Sequence, residues 1–356
     1  MTYSLVIIRN KKLNIHYDDL SAFIRVFSAG CYYFDKITAV AFDSPRAITD
    51  QLKECKNCFD NCVVICRREQ KSVIADYLQK IYGSTFGQNF FLNSGDDSVL
   101  LGTPEEGQYF ARRCVHFFNR KYGISYDKFY VRCVSAPAEL IYESIEKAKE
   151  NGGDTAFAVY DDYGDQTIEI SYSSNTPKMI ADGIQRVLVS RLDDYIYALE
   201  NIPLERRLYD LLKLRRMKIS VAESFTGGGI SSRLVSVPGI SEVYFEGINA
   251  YDNMSKHKRL NVGELTLKQS GAVSERTAYE MVEGLLKTGN CNAAISTTGI
   301  AGPKSDNTSK PVGLAFIGVG TNEGIKVYKF NYKGDRESIT RTAINDALFL
   351  AYKMLK

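Results

Sequence analysis

Residues 218–229 read KISVAESFTGGG, and this stretch predicts how the C-terminal part of the chain folds. A short, mostly apolar run is followed by three consecutive glycines and then by the helical pattern ISSRLVSV. A strand that runs through a glycine turn into a helix is typical of α/β sheets, which bind ligands at the carboxyl ends of their strands. Ser224 and Thr226 stand at that junction.

The glycine turn favours a site for an anion or an oxyanion. Glycines let the backbone approach a bound group, and a helix N-terminus presents unpaired N–H donors. A P-loop is excluded because no Gly-Lys-Ser/Thr follows, and a dinucleotide fingerprint is excluded because the G-x-G-x-x-G spacing is absent. The residues alone leave a second interpretation open, in which Ser224 or Thr226 only caps the helix.

Outward from this stretch, strand and helix patterns predict one α/β domain over residues 202–356, with helices on both faces of its sheet in three α/β/α layers. A helix at PLERRLYDLLKLRR precedes the first strand, and a strand at VYFEGINAY follows it. The remaining patterns are a helix at SERTAYEMVEGLLKTG, strands at CNAAISTTGI, PVGLAFIGVG and GIKVYKFNY, and a final helix at DRESITRTAINDALFLAYKMLK.

Two further domains are predicted before this one. Residues 1–123 alternate short apolar runs (SLVII, ITAVAF, CVVIC) with helical patterns, which indicates a mainly parallel α/β sheet. Residues 124–201 read as a strand, a helix, a hairpin turning near Gly164, and a second helix. This β-α-β-β-α order predicts a small α+β linking domain.

The composition sets limits on partners and location. The 356 residues include 45 Lys+Arg and 42 Asp+Glu, so no basic field of the kind that non-specific nucleic-acid binding needs is expected. No stretch approaches the ~20 apolar residues of a membrane helix, and the apolar run at 5–8 is too short for a secretion signal. We expect a cytoplasmic protein with no membrane or nucleic-acid partner and with reduced cysteines.

Four of the eight cysteines cluster in the sequence ECKNCFDNCVVICRRE. Cys55 and Cys58 have a spacing found in metal ligands, but no second cysteine pair or histidine pair follows to complete a zinc site. The run from Cys62 to Cys66 is instead typical of a buried strand, in which a free cysteine behaves as a small apolar residue. We therefore expect no metal here.

Three more segments follow predicted strand ends in the C-terminal domain. Lys256 comes soon after VYFEGINAY; a lone lysine there is usually a solvated surface charge, although it can also point into a cleft. STTGIAGP at 296–303 ends the next strand and leads through a polar loop to KPVG at 310–313. KGDR at 333–336 opens the last helix, and Arg341 follows about a turn and a half later.

Taken together, these segments closely resemble the C-terminal domain of the CinA (competence/damage-inducible) family, whose stand-alone form is nicotinamide-nucleotide amidase. The family's A-E-S-C-T-G-G is similar to AESFTGG at 222–228, and its Y-S-N-x-x-K is similar to YDNMSK at 251–256. Four motifs are intact: GAVSE at 271–275, GIAGP at 299–303, KPVG at 310–313 and GDR at 334–336. Six motifs in the family's order cover about 150 residues.

The resemblance implies a serine–lysine amidase. Ser224 would attack the carboxamide of nicotinamide mononucleotide (NMN) and Lys256 would accept its proton, giving nicotinic acid mononucleotide and ammonia in pyridine-nucleotide salvage. A lysine can be this base only if its pKa falls from ~10.4 toward ~7–8. The distance from the Ser224 hydroxyl to the Lys256 amine is expected at ~2.6–3.2 Å, or somewhat longer without substrate.

The resemblance also implies supporting residues. Backbone N–H groups around Thr226 and Gly227 would bind the oxyanion, and Tyr251 and Thr298 would hold the amide or orient Lys256. Arg336, Arg341 and Lys310 are candidates for the substrate phosphate. No cofactor is required for the amidase, and a homodimer is implied. The other candidate substrate-binding residues in the matching motifs are Gly228, Asn253, Gly299, Ala301 and Gly302.

The sequence departs from the family pattern in three places. Phe225 replaces the usual Cys after the serine, which we expect to alter packing more than chemistry. Asp252 replaces the usual Ser and is expected to raise the pKa of Lys256. Between Pro303 and Lys310 the family usually reads D-G-G, whereas this chain reads KSD at 304–306, so a substrate-covering loop is expected to differ.

The N-terminal part resembles a degenerate molybdopterin-binding-like (MoaB/MogA-like) domain, followed by the linking domain. The family's loop G-G-L-G-P-T-x-D-D after the strand is replaced by CRREQ at 66–70, which lacks the glycines and aspartates that hold phosphate and metal. The acidic stretch SGDD at 94–97 is more typical of a turn than of a substitute for this phosphate- and metal-binding loop. We expect the fold to be kept and the ADP-ribose pyrophosphatase activity and metal site to be lost.

The alternative function is a non-catalytic protein of this family that binds nucleotides or serves as a competence-related scaffold. The retained Ser224 and Lys256 favour the enzyme, whereas the degenerate N-terminal loop favours the scaffold.

Overall fold

A computed structural model of the chain describes residues 1–9, 17–87, 90–304 and 309–356. The chain forms two compact units, one of Met1–Asp127 with Ser173–Asn175 and one of Lys128–Tyr172 with Thr176–Lys356. The small sheet of the middle region has its own apolar core but belongs to the same unit as the C-terminal sheet. The division into three domains at 123 and 201 therefore stays a prediction.

The first unit contains one five-stranded sheet with helices on both faces. The strand order is β2-β1-β3-β5-β4, and all pairs are parallel except β4 with β5. The β4–β5 turn lies at the predicted SGDD. Its elements are β1 (Tyr3–Arg9), α1 (Tyr17–Ala29), β2 (Lys36–Ala41), α2 (Pro45–Cys58), β3 (Asn61–Ile65), α3 (Lys71–Tyr82), β4 (Phe91–Ser94), β5 (Asp97–Gly102) and α4 (Gly107–Tyr122).

The clustered cysteines of the first unit take part in packing. Cys55, Cys62 and Cys66 are buried, whereas Cys58 is exposed. The Cys55 Sγ lies 3.0 Å from the Ser4 Oγ. Among the residues that the structure describes, no group of three or more His, Cys, Asp or Glu side chains is arranged to hold a metal ion.

The second unit begins with a four-stranded sheet in the order β7-β8-β6-β9. Strands β7 and β8 form the predicted hairpin, which turns at Tyr163 and Gly164 with φ of 54° and 87°. The short last strand was not predicted. The elements are β6 (Tyr126–Val134), α5 (Ala138–Lys149), β7 (Thr155–Asp162), β8 (Asp165–Ser173), α6 (Lys178–Leu192) and β9 (Ile196–Ala198).

The C-terminal sheet has the order β11-β10-β12-β13-β14, with parallel pairing among the first three strands and antiparallel pairing among the rest. Its predicted strands are all present. Two short helices after β11 were not predicted. The elements are α7 (Leu204–Arg215), β10 (Ile219–Glu223), α8 (Gly229–Val235), β11 (Tyr244–Asn249), α9 (Asn253–Leu260), α10 (Glu264–Gln269), α11 (Glu275–Leu286), β12 (Ala293–Gly299), β13 (Leu314–Thr321), β14 (Gly324–Asn331) and α12 (Arg336–Leu355).

Helices cover both faces of this sheet, which confirms the expected α/β class. Ile219 and Val221 of β10 pack with α7, α8 and α12, whereas Ala222 packs with α9 and α11 on the opposite face. The chain leaves β10 through α8 to one neighbouring strand and later returns to the other neighbour, β12. A sheet whose crossovers diverge in this way opens a ligand crevice at the carboxyl end of the central strand.

No helix among the described residues is both long and apolar enough to cross a lipid bilayer.

Candidate active site

Ser224 lies at the carboxyl end of the central strand β10, and its backbone is held on both sides. Its N–H donates to the Thr297 carbonyl on β12 at 3.0 Å, and its carbonyl accepts from the Gly227 N–H at 3.1 Å. Gly227 and Gly228 have φ of 62° and 95°, a conformation that glycine adopts without steric cost. The glycine turn therefore folds the chain back tightly around the serine.

Glu223, which the sequence analysis did not single out, ties the serine loop to helix α8. One carboxylate oxygen accepts from the Gly228 and Ile230 N–H groups, each at 3.0 Å. The other accepts from the N–H of Ser231 at 2.8 Å and from its hydroxyl at 2.7 Å. A carboxylate suits this position because it satisfies N–H groups that a helix start leaves unpaired. The signal available in the sequence was an acidic residue directly before Ser224 and four positions before the first glycine of the turn.

Lys256 reaches Ser224 from the first turn of α9. Its Nζ lies 3.0 Å from the Ser224 Oγ, within the distance expected from the sequence. The amine also donates to the carbonyls of Ala250 at 2.8 Å and Tyr251 at 3.0 Å. The side chain is 1 % exposed, so it is the buried exception to the usual surface lysine.

Burial lowers the pKa of Lys256 from 10.5 to about 8, while the negative charge of Asp252 opposes this by raising it. The hydrogen-bond geometry suits the neutral amine. Two carbonyl oxygens can only accept, so they take both N–H groups of a neutral amine. The remaining lone pair can then accept the Ser224 hydroxyl proton, which is what a general base requires.

Of the two N–H groups predicted to bind an oxyanion, that of Thr226 is left without a bond to any residue that the structure describes, and that of Gly227 is not. The Gly227 N–H is already bonded to the Ser224 carbonyl, and the Gly228 N–H is bonded to Glu223. In the described part of the chain, the N–H groups of Phe225 and Thr226 have no hydrogen-bond partner. The Thr226 hydroxyl is engaged with the Thr297 hydroxyl at 2.7 Å. The N–H groups of Phe225 and Thr226 are thus the donors of this loop that remain available to an oxyanion.

Thr298 and Lys310 converge on a neighbouring loop at 270–273, which contains the start of the GAVSE motif. The Thr298 hydroxyl donates to the Ala272 carbonyl at 2.7 Å. The Lys310 amine donates to the carbonyls of Ser270 at 2.9 Å and Val273 at 2.6 Å. These contacts hold the loop in place, so neither side chain is positioned as the resemblance implied, on Lys256 or on an open phosphate site.

Three of the other predicted residues, Gly299, Ala301 and Gly302, lie at the end of β12 and in the segment that follows it. Gly299 packs against β13 so closely that an added Cβ would meet the Leu314 carbonyl oxygen at 3.0 Å. Ala301 is buried, and Gly302 has a φ of 82° followed by a cis peptide bond to Pro303. Arg336 donates to the Gly302 carbonyl at 2.9 Å. Of the segment at 304–306 that departs from the family pattern, Ser305 and Asp306 lie outside the described residues.

The structure does not bring Arg341 together with the dyad. Its guanidinium donates to both carboxylate oxygens of Asp162, at 2.9 and 3.0 Å, and lies over the Tyr163 ring on the β7–β8 hairpin. Because the guanidinium of Arg341 is already paired with the Asp162 carboxylate, Arg341 is a poor candidate for binding the substrate phosphate.

The residues beside Lys256 contribute in different ways. Tyr251 orients the amine through its backbone carbonyl, while its side chain is 63 % exposed. Asn253 is an exposed residue at the start of α9. Asp252 caps this helix by accepting from the Met254 N–H at 2.7 Å.

The chain is similar in sequence to several known proteins. Residues 201–355 match the CinA C-terminal domain family. A relative from Caldicellulosiruptor saccharolyticus, named as a competence-damage inducible protein, is 36 % identical over 270 residues, which cover 74 % of this chain and 65 % of the relative. The CinA-like protein of Kosmotoga olearia is 38 % identical over 213 residues, which cover 59 % of this chain and 52 % of that protein.

The chain belongs to the CinA family. It spans less than two thirds of the length of either curated relative. Among solved structures, the competence/damage inducible protein CihA from Agrobacterium tumefaciens is 34 % identical, with 43 % of this chain and 94 % of that chain covered and a TM-score of 0.42. These CinA names refer to competence and damage and state no reaction.

Proposed function

We propose that the C-terminal domain is a serine–lysine amidase that hydrolyses the carboxamide of NMN to nicotinic acid mononucleotide and ammonia. The observation that carries the proposal is the 3.0 Å contact between the Ser224 hydroxyl and a buried amine whose pKa lies near 8. A nucleophilic serine needs an adjacent base, and a lysine serves as one when burial favours its neutral form.

In the first half of the reaction, the Ser224 Oγ attacks the carboxamide carbon while its proton moves to the Lys256 Nζ. The carbonyl oxygen becomes an oxyanion, which the N–H groups of Phe225 and Thr226 stabilise. The Lys256 ammonium then returns the proton to the amide nitrogen. The carbon–nitrogen bond breaks, ammonia leaves, and an ester to Ser224 remains.

In the second half, water takes the place of the serine. Lys256, neutral again, removes a proton from a water molecule that attacks the ester carbon. The proton passes to the Ser224 Oγ as the ester bond breaks, which releases the carboxylic acid and restores the dyad. The two carbonyls that hold Lys256 keep its amine in the same place through both halves.

The choice of NMN rests on resemblance to the family. For its phosphate, Arg336 is the remaining candidate, because Arg341 is paired with Asp162 and Lys310 holds the loop at 270–273. Arg336 is exposed and uses one Nη on the Gly302 carbonyl, so its other N–H groups are available to an anion. A cytoplasmic homodimer without a required cofactor is part of the proposal.

For the N-terminal unit, we propose that the sheet is retained without ADP-ribose pyrophosphatase activity. The segment after β3, CRREQ at 66–70, has no glycine and no aspartate with which to hold a pyrophosphate or a metal.

The test is ammonia release from NMN by the purified chain, compared with Ser224→Ala and Lys256→Met. Lys258→Met is the matched control, because Lys258 is an exposed lysine on the same helix. The proposal expects turnover by the parent and by the control, and none above background by the two dyad variants. NMN binding without ammonia release by the parent would favour the scaffold alternative.

A further inference from the structure

The β7–β8 hairpin of the small sheet meets helix α12 at Asn345, which is 2 % exposed. The Asn345 Nδ2 donates to the carbonyl oxygens of Asp162 and Tyr163, each at 2.9 Å. Both carbonyls belong to the hairpin turn, so the amide group binds the backbone of the turn and not an exposed side chain. These two bonds use the whole donor capacity of the side chain.

The acceptor end of the same amide is bonded to the helix that follows the nucleophile. The Asn345 Oδ1 accepts from the Arg233 Nη1 on α8. Arg233 is also paired with Glu205 of α7. At the start of α8, Gly229 lies so close to α12 that an added Cβ would meet the Ile344 Cδ1 at 2.3 Å. The side chains of two consecutive α12 residues, Ile344 and Asn345, therefore both contact α8.

The contact continues from α8 to Ser224. The Glu223 carboxylate holds the first turn of α8 through four hydrogen bonds, and the Gly227 N–H closes the loop onto the Ser224 carbonyl. A displacement of α8 must move this loop, because the hydrogen bonds that join them lie in a closely packed, buried region. The path from the hairpin to the serine thus consists of direct hydrogen bonds and packed contacts.

A second contact fixes the hairpin on α12. The Ser135 hydroxyl donates to the Asp346 carboxylate at 2.6 Å, and the Ser135 N–H donates to the Gly164 carbonyl at 2.8 Å. Asp346 is buried and also accepts from the Tyr332 hydroxyl at 2.7 Å. The Arg341–Asp162 pair on the same hairpin is exposed, and exposed pairs contribute little. The buried amide and carboxylate are therefore the contacts that fix its position.

We propose that Asn345 is a positioning residue for the amidase, through which the β7–β8 turn holds α8 and keeps Ser224 in its reactive position. The small α+β sheet is then a working part of the active site and not only a connection. This inference rests on the proposed function, since it concerns the reactivity of the same serine.

The test replaces the amide nitrogen of Asn345 and measures the reactivity of Ser224 directly. Asn345→Asp keeps an acceptor for Arg233 but places a carboxylate oxygen against the two turn carbonyls, so both hydrogen bonds from residue 345 to the turn are lost. Asn345→Ser is the second variant, for use if the first fails to fold. The readout is the rate at which a fluorophosphonate modifies Ser224, followed by mass spectrometry across pH, together with kcat and KM for NMN.

Two controls separate positioning from loss of stability. Lys353→Met removes another contact of α12, the bond at 3.1 Å from Lys353, near the far end of the helix, to the carbonyl of Asp194 in the turn just before β9. Ile145→Val loosens the core of the small sheet without touching α12. Both controls are expected to label Ser224 at the parent rate.

Asn345→Asp is expected to label on the order of tenfold more slowly and to lower kcat by a similar factor, because small misplacements of a reacting group are costly. The pH midpoint is expected to stay unchanged, since Lys256 is on α9. Labelling of Asn345→Asp, or of Asn345→Ser, at the parent rate would overturn the inference and leave the amidase proposal intact. If the parent and Ser224→Ala both fail to label, the proposed function itself is wrong.

Discussion

The pH dependence of NMN hydrolysis follows from the environment of Lys256. Its pKa is lowered from 10.5 to about 8 because the amine is buried. The neutral fraction is then about 1 % at pH 6, about 9 % at pH 7 and about half at pH 8. A lysine at the ordinary pKa would be only about 0.03 % neutral at pH 7. Burial therefore increases the available base by about 300-fold at neutral pH.

We expect kcat/KM to rise by about 50-fold between pH 6 and pH 8 and to reach a plateau above pH 9, because the rate follows the neutral amine. The assay is initial ammonia release from NMN between pH 5.5 and 10, at constant ionic strength, with Lys258→Met as the control for general charge effects. A rate that is independent of pH from 6 to 9 would refute Lys256 as the base. So would a rate that still rises tenfold per unit between pH 9 and 10.

Three further changes have expected outcomes. Asp252→Asn should move the rise of kcat/KM with pH to lower pH, because it removes the charge that raises the pKa of Lys256. Asparagine can still cap α9 as Asp252 does. A rise of kcat/KM at the same pH as in the parent would contradict this. Glu223→Gln should lower kcat and lower the free energy of unfolding, measured with denaturant, by about 1–3 kcal/mol. The reason is that an amide cannot accept all four hydrogen bonds that the carboxylate accepts. An unchanged free energy of unfolding would show that these hydrogen bonds are dispensable. Gly284→Ala should lower the stability by about 1–3 kcal/mol and should also lower kcat. The added Cβ would lie 2.0 Å from the carbonyl oxygen of Leu260, at the end of the helix that carries Lys256. A variant with the melting temperature of the parent would refute the close packing.

The strands of the C-terminal sheet could be predicted because their apolar runs are bounded by glycines and by polar turns. The helices α9 and α10 could not. The sequence NMSKHKRL is almost entirely polar and lacks the apolar spacing of an amphipathic helix, and its structure depends on the Asp252 cap and on Leu260 packing beneath α11. Tertiary contacts decide the structure of such short segments more than their own propensity does.

For the site, the sequence located the two ends of the dyad but not its supporting contacts. Ser224 and Lys256 follow adjacent parallel strands, so the topology alone brings them to one edge. Arg341 is different, because its partner Asp162 lies 179 residues earlier, on another sheet. No local pattern records such a pairing. Lys310 similarly contacts a loop about 40 residues away, and its role as a loop anchor required the folded structure.

A direct titration of the Lys256 amine by NMR, with ¹⁵N-labelled lysine and Lys256→Met to assign the signal, measures the property on which the proposed chemistry depends. A midpoint near 8 in the free protein is expected, with a neutral amine observed above it. A Lys256 amine that stays protonated up to pH 10 would contradict the assignment of this residue as the base for Ser224.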